Sequence, residues 1–444
     1  MREITGVAQE AVTSSDQPLS RLVVGWMLMI PLFYFASQGN LFFHSESPVM
    51  GSYGSAVASA GSRGEDHAII LSVFTIALIL IGSRIKSVLI VCGRAKEFVA
   101  LAGLALGSCL WSQLPRISLL ASLYFAINIL FAFYLYQRFN QRQVLGLLLT
   151  IGWVCVVSSV LLSLLFPKYG ISQVPTPGAW RGIYEHKNEC AEMTVFLLAA
   201  AFFAPVGGSL SRLFRIAYIL LSVILIVMSK SMTGCLLLAF LLAYVFVMRV
   251  VQRFPKKDSV VLVLLLMVGG VVPLVIAGIS YFKEIMYLVG KDPTLTGRTT
   301  IWRAVVVAAM KRPLLGYGYK AFWTGLQGES GNVLMSNGWS FAQAHNGFLE
   351  VWLGIGALGL AVVLYSLIKA FRNALPCILA RNFYLSWCVC MVLLIAIHAM
   401  DEQTLASPNN LAWILYIVAS IGLADGARRI RFQQDRFRFR ENHG

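Results

Sequence analysis

Long apolar runs separated by short polar stretches set the pattern of this chain. They predict twelve spans, at roughly 22–43, 68–83, 97–111, 117–136, 143–166, 189–206, 212–228, 232–250, 259–281, 346–370, 383–400 and 409–424. A helix needs about 20 apolar residues to cross a hydrocarbon core of about 30 Å. The expected fold is therefore an all-α polytopic membrane protein, with 1–444 forming one integral membrane domain. The third span is the least distinct, because the apolar stretch 87–92 competes with it. The first reads as an uncleaved helix rather than a signal peptide, since so many spans follow. No internal repeat is visible, which weighs against a transporter built from duplicated halves.

Composition agrees. The 444 residues are 58% hydrophobic and 13% charged, against about 25% charged in soluble domains. The net charge of +16 fits lipid headgroups and the positive-inside bias. Without any nucleic-acid-binding motif, no nucleic-acid partner is expected. The eight cysteines form no CxxC pair or ligand spacing, so neither a disulfide framework nor a zinc site is indicated.

With a cytoplasmic N-terminus, 23 of the 36 Lys and Arg residues fall on the cytoplasmic side, and both termini lie there. Seven of the remaining cations lie in one outer loop, 283–345, between spans nine and ten. It contains a short amphipathic helix near 299–310. A loop this long is usually functional.

Three outer clusters carry candidate chemistry: RGIYEHKN at 181–188, GRTTIW at 297–302 and HNGFLEVWLGIGALGL at 345–360. Arg181, His186, Lys187, Arg298 and Arg303 would meet at the membrane surface. Arginine's planar fork suits phosphate oxygens; headgroup binding is the competing reading. His345 suits a base on a sugar hydroxyl, because imidazole titrates near neutrality. Gly354, Gly356 and Gly359 are expected to let this span pack closely on other helices. Glu350 is expected to be buried and to need a partner. Trp302 suits sugar stacking or interface anchoring. His398, Asp401 and Glu402 read as a solvated helix end, or as groups that orient an imidazole or bind sugar hydroxyls. No acidic cluster or His-rich set suggests a metal, and no cofactor is expected.

His345, Asn346, nine residues, Gly356, two residues and Gly359 resemble the signature of the O-antigen ligase and polymerase superfamily. RGIYEHKN is similar to a segment of exopolysaccharide polymerases of the rhizobial succinoglycan type. The resemblance implies a membrane glycosyltransferase of the GT-C-like type, in the bacterial inner membrane with its active face periplasmic. It implies a metal-independent enzyme acting on an undecaprenyl-diphosphate-linked oligosaccharide. His345 would activate the acceptor, with Asn346 in support. Arg181 and Arg298, with His186 and Lys187, would hold the diphosphate. The expected function is a polymerase joining exopolysaccharide repeat units. The alternatives are a ligase transferring glycan to lipid A core and, further off, a flippase. Chain-length regulators and export proteins are expected partners.

Overall fold

Every apolar run inside the described residues becomes a helix in the computed structural model, which describes 18–39, 64–173, 176–205, 207–253, 298–335, 343–379 and 382–443. The helices are α1 (Pro18–Ala36), α2 (Gly64–Gly82), α3 (Ile85–Arg94), α4 (Lys96–Gly107), α5 (Pro115–Arg138), α6 (Gln141–Leu165) and α7 (Lys187–Phe203). Next come α8 (Ser209–Met228), α9 (Met232–Arg253), α10 (Arg298–Lys311), α11 (Gly328–Met335), α12 (Gly347–Leu379), α13 (Phe383–His398) and α14 (Leu411–His443). Between α6 and α7, β1 (Ile171–Ser172) pairs antiparallel with β2 (Ala179–Trp180).

The span count differs from the sequence expectation. Among the described residues, six helices are long and apolar enough to cross a membrane: α5, α6, α8, α9, α12 and α14. A seventh crossing results if α2 and α3, bent by 87° at their junction, form one broken span. The competing stretch 87–92 is thus a separate helix, α3. The 12 residues of α4 rise only about 18 Å at 1.5 Å per residue. The 16 residues of α13 and 17 of α7 also fall short of a full crossing. The expected ninth span, 259–281, and the loop residues 283–297 and 336–342 lie outside the described residues.

Burial divides the helices into inner and outer ones. The first half of α14, from Leu411 to Ala419, is buried throughout, as is α7 from Cys190 to Ala201. Helix α13 packs against both. Outer helices such as α8 leave Leu213, Phe214, Leu220 and Ile224 exposed, as suits a surface facing lipid.

Residues 298–335 have a small core of their own, where Ile301, Val305, Ala308, Tyr317, Phe322 and Val333 cluster with Leu353 of α12. Tyr319 fastens this segment to the bundle. Its N–H donates to Ser108 Oγ (2.9 Å), its carbonyl accepts from Ser118 Oγ (2.9 Å), and its hydroxyl donates to Ala406 O (2.6 Å).

The glycines of the 345–360 motif act differently from the helix-packing role expected. Helix α12 is broken at Ile355 and Gly356, where Gly356 has φ +70° and ψ −172°. The break frees backbone groups, and the irregular segment 313–318 takes them up. Tyr317 N donates to Leu353 O (2.8 Å) and Gly318 N to Gly354 O (3.0 Å), while Ala357 N donates to Pro313 O (2.8 Å). A β-carbon on Gly356 would lie 2.0 Å from Leu314 O. Buried backbone groups left unpaired are costly, and this conformation is essentially confined to glycine. Gly356→Ala is therefore expected to destabilise the protein by about 3 kcal/mol or more, seen as earlier thermal unfolding in detergent. An unchanged unfolding curve would contradict the stitched break.

Candidate functional site

The start of α12 sets the first side of the site. Asn346 caps the helix: its Oδ1 accepts from Phe348 N (3.0 Å) and Leu349 N (3.1 Å). This satisfies two of the N–H groups that every helix start leaves open. Its Nδ2 donates to Met400 O (3.2 Å), and Gly347 N donates to Ala399 O (2.7 Å). Asn346 thereby ties α12 to the turn after α13. His345, one residue earlier, has φ +48°, a left-handed conformation that non-glycine residues adopt at some cost.

That turn supplies the other side. Asp401 N and Glu402 N both donate to His398 O, at 3.0 and 2.9 Å, presenting two adjacent carboxylates. One oxygen of Glu402 lies 3.0 Å from Arg298 Nη2 and the other 3.2 Å from His345 Nδ1. Arg298 Nη1 pairs with the Asp401 carboxylate and donates to the Asp401 carbonyl (2.6 Å). Thr233 Oγ1 donates to the same Asp401 carboxylate. The side chains of Arg298, His345 and Glu402 are only 13%, 17% and 12% exposed. Residues 298, 345 and 402 thus form one buried chain of charge-assisted contacts. Burial alone would raise the Glu402 carboxyl. The hydrogen bond to His345 and the Arg298 and His398 charges outweigh it and hold the group down at about 2. Burial alone would likewise lower Arg298, but Glu402 and Asp401 overcome it and raise its pKa. Both groups are ionised at neutral pH.

A cleft of about 420 Å³ opens beside His345 and Glu402. Glu189 and Glu192 of α7 line it, with His186, Asn188, Gln343, His398, Gln403 and Asn410. Glu192 Oε2 lies 2.8 Å from His398 Nε2, and Thr404 bonds the other imidazole nitrogen. Among the described residues, no Lys or Arg lines this cleft.

His186 caps α7, its Nδ1 accepting from Asn188 N (3.2 Å). Burial, helped by the Lys187, His345 and Arg298 charges and opposed by Glu402, pushes its imidazole down to about 4. The ring is therefore neutral near pH 7 and carries its proton on Nε2, as a donor rather than a cation. Between pH 4 and 6.5 the unfolded chain binds this proton and the folded one does not. The associated stability is full above about pH 6.5 and is lost as pH falls through 4. From pH 7 to pH 5, with allowance for partial exposure, the loss is expected to be about 1–2 kcal/mol. Thermal unfolding at the two pH values should show a smaller drop in His186→Gln; equal drops would contradict this.

The other candidates are placed as follows. Arg181 is buried and its Nε donates to Tyr169 O (2.8 Å), holding the hairpin segment. Lys187 Nζ donates to Lys230 O (3.0 Å). Neither lines the cleft. Trp302 Nε1 donates to Ala344 O (2.9 Å). Glu350 Oε1 accepts from Ala344 N and from Trp323 Nε1, the latter at 3.0 Å. Trp302 and Glu350 thus grip the residue preceding His345. Arg303 is exposed. Lys320, not singled out from the sequence, donates to Gln403 Oε1 (3.0 Å), and burial lowers its pKa.

The sequence reading also passed over Glu189 and Glu192. Two acids three residues apart in a mostly apolar span were the available signal. Asp401 and Glu402, weighed as a solvated helix end or as groups that orient an imidazole, are the partners of Arg298, and Glu402 also holds His345.

Residues 217–364 match the family model described as O-antigen ligase. The chain is 27% identical over 291 residues to the exopolysaccharide production protein ExoQ of Rhizobium meliloti, covering 61% of this chain and 63% of that protein.

Proposed function

Starting from an O-antigen ligase family domain at residues 217–364, we propose that this protein is a polymerase. It joins undecaprenyl-diphosphate-linked oligosaccharide repeat units of an exopolysaccharide on the periplasmic face of the bacterial inner membrane. The observation that carries this reading is the Arg298–Glu402–His345 chain, with Glu402 Oε2 at 3.2 Å from His345 Nδ1. An ionised carboxylate that accepts the Nδ1 proton selects the tautomer whose lone pair lies on Nε2. That is the tautomer a general base requires.

In the reaction, an acceptor sugar hydroxyl attacks the anomeric carbon of the donor. His345 Nε2 takes the hydroxyl proton as the new C–O bond forms. The bond from that carbon to the diphosphate oxygen breaks, and undecaprenyl diphosphate leaves with the electron pair. Direct displacement inverts the anomeric configuration. Negative charge grows on the departing diphosphate, and prepositioned cations stabilise it. Arg181, Lys187, Arg298 and Lys320 are assigned that role. No step calls for a metal.

The second reading is a ligase that moves finished glycan to another acceptor, favoured by the family's description. The polymerase is preferred because the similar rhizobial protein is named for exopolysaccharide production. Surface-glycan analysis of a deletion strain separates them. Accumulated single repeat units are expected; full-length chains lacking their attachment would establish the ligase.

A further inference from the structure

The lining of the cleft is chemically one-sided. Beside His186, His345 and His398 it offers Glu189, Glu192 and Glu402, a set of carboxamides, and, among the described residues, no Lys or Arg. Glu189 and Glu192 are three residues apart on α7, a spacing that places both on one helix face. Glu189 Oε2, Glu192 Oε1 and Gln343 Oε1 are buried without a hydrogen-bond partner. Glu192 is 3% exposed and Gln343 is 4% exposed. Buried acceptors left unmatched are rare, and each calls for a reason. Three lining one cleft call for a ligand that donates hydrogen bonds. A diphosphate has no hydrogen to donate when fully ionised, and it would meet the ionised Glu402 here. A neutral sugar presents several hydroxyl donors.

We propose that this cleft is the acceptor subsite. It receives a neutral, hydroxyl-rich terminal sugar through Glu189, Glu192 and Gln343, and the donor diphosphate lies outside it. The assignment rests on the polymerase reading for the hydroxyl's fate, since the bound sugar's attacking hydroxyl must reach His345. It adds a specificity rule: a terminal sugar bearing a carboxylate or phosphate is disfavoured beside the ionised Glu402.

The test uses the full chain in detergent and two probes. One is the oligosaccharide released from lipid-linked repeat units and capped as its methyl glycoside; the other is inorganic pyrophosphate. Gln343→Met keeps the volume and removes the acceptor oxygen, and Glu192→Gln replaces the carboxyl group with an amide of the same size. Thermal unfolding confirms that each variant is folded, and Gln343→Glu, which restores an acceptor oxygen, serves as the conservative rescue. Oligosaccharide affinity is expected to fall about threefold to tenfold in Gln343→Met and about tenfold to a hundredfold in Glu192→Gln. Pyrophosphate affinity should stay within about twofold. Unchanged oligosaccharide affinity, no oligosaccharide binding by the wild type, or a parallel fall in pyrophosphate affinity overturns the subsite. Oligosaccharide binding that depends on these residues, without polymer from lipid-linked units, would keep the subsite and overturn the polymerase.

Discussion

His345→Ala is expected to lower the rate of polymer formation by about 10²–10⁴-fold, the usual contribution of a positioned general base. The residue is only 17% exposed at its side chain and lies 3.2 Å from Glu402, so the loss has a geometric basis. His345 already occupies a left-handed backbone conformation. Asparagine tolerates that conformation better than most residues, so His345→Asn separates lost chemistry from altered backbone. Both variants should reach the membrane at wild-type levels and both should show that loss of rate. Polymer length and yield that survive His345→Asn would assign the proton transfer elsewhere.

Glu402 carries the second large effect, because one carboxylate serves two partners. Glu402→Ala leaves Arg298 with Asp401 alone and releases the His345 ring. Removing one member of a buried ion pair typically costs about 3–5 kcal/mol. Asp401 remains, so the lower end, about 3 kcal/mol, is expected as earlier thermal unfolding. Glu402→Gln keeps the size and a hydrogen-bonding oxygen, so it should be better folded. It no longer fixes which His345 nitrogen carries the proton, and kcat is expected to fall about 10²–10⁴-fold, as when an orienting carboxylate is lost elsewhere. KM should change little, because Glu402 acts through His345. A Glu402→Gln protein with normal kcat would reduce the carboxylate to a structural role. Arg298→Lys offers a matching comparison: one ammonium cannot reproduce the two-pronged contact that Arg298 makes with Asp401 and Glu402.

The spans and the His-Asn…Gly…Gly motif were legible because they are local. Apolar runs report burial or lipid contact directly, and His345, Asn346, Gly356 and Gly359 lie within fifteen residues of one another. Span number was less legible, because α4, α7 and α13 are apolar but too short for a full crossing. The Arg298–Glu402 pairing was hidden by its sequence separation of 104 residues. An Asp-Glu pair after a helix looks the same whether water or an arginine solvates it. Gly356 shows a different gap. Glycine in an apolar span suggests close packing, yet here it permits a break that Pro313, Tyr317 and Gly318 fill. Only the fold brings that segment to the helix. The acidic pair on α7 was readable in principle, since charge in an apolar helix signals function by default.

Reconstituting the purified full chain in liposomes with lipid-linked repeat units tests the central claim most directly. The account predicts a ladder of polymer lengths, release of undecaprenyl diphosphate in step with each bond, and neither product with His345→Asn. Wild-type protein that leaves the repeat units unjoined, or a His345→Asn protein that joins them normally, would contradict it.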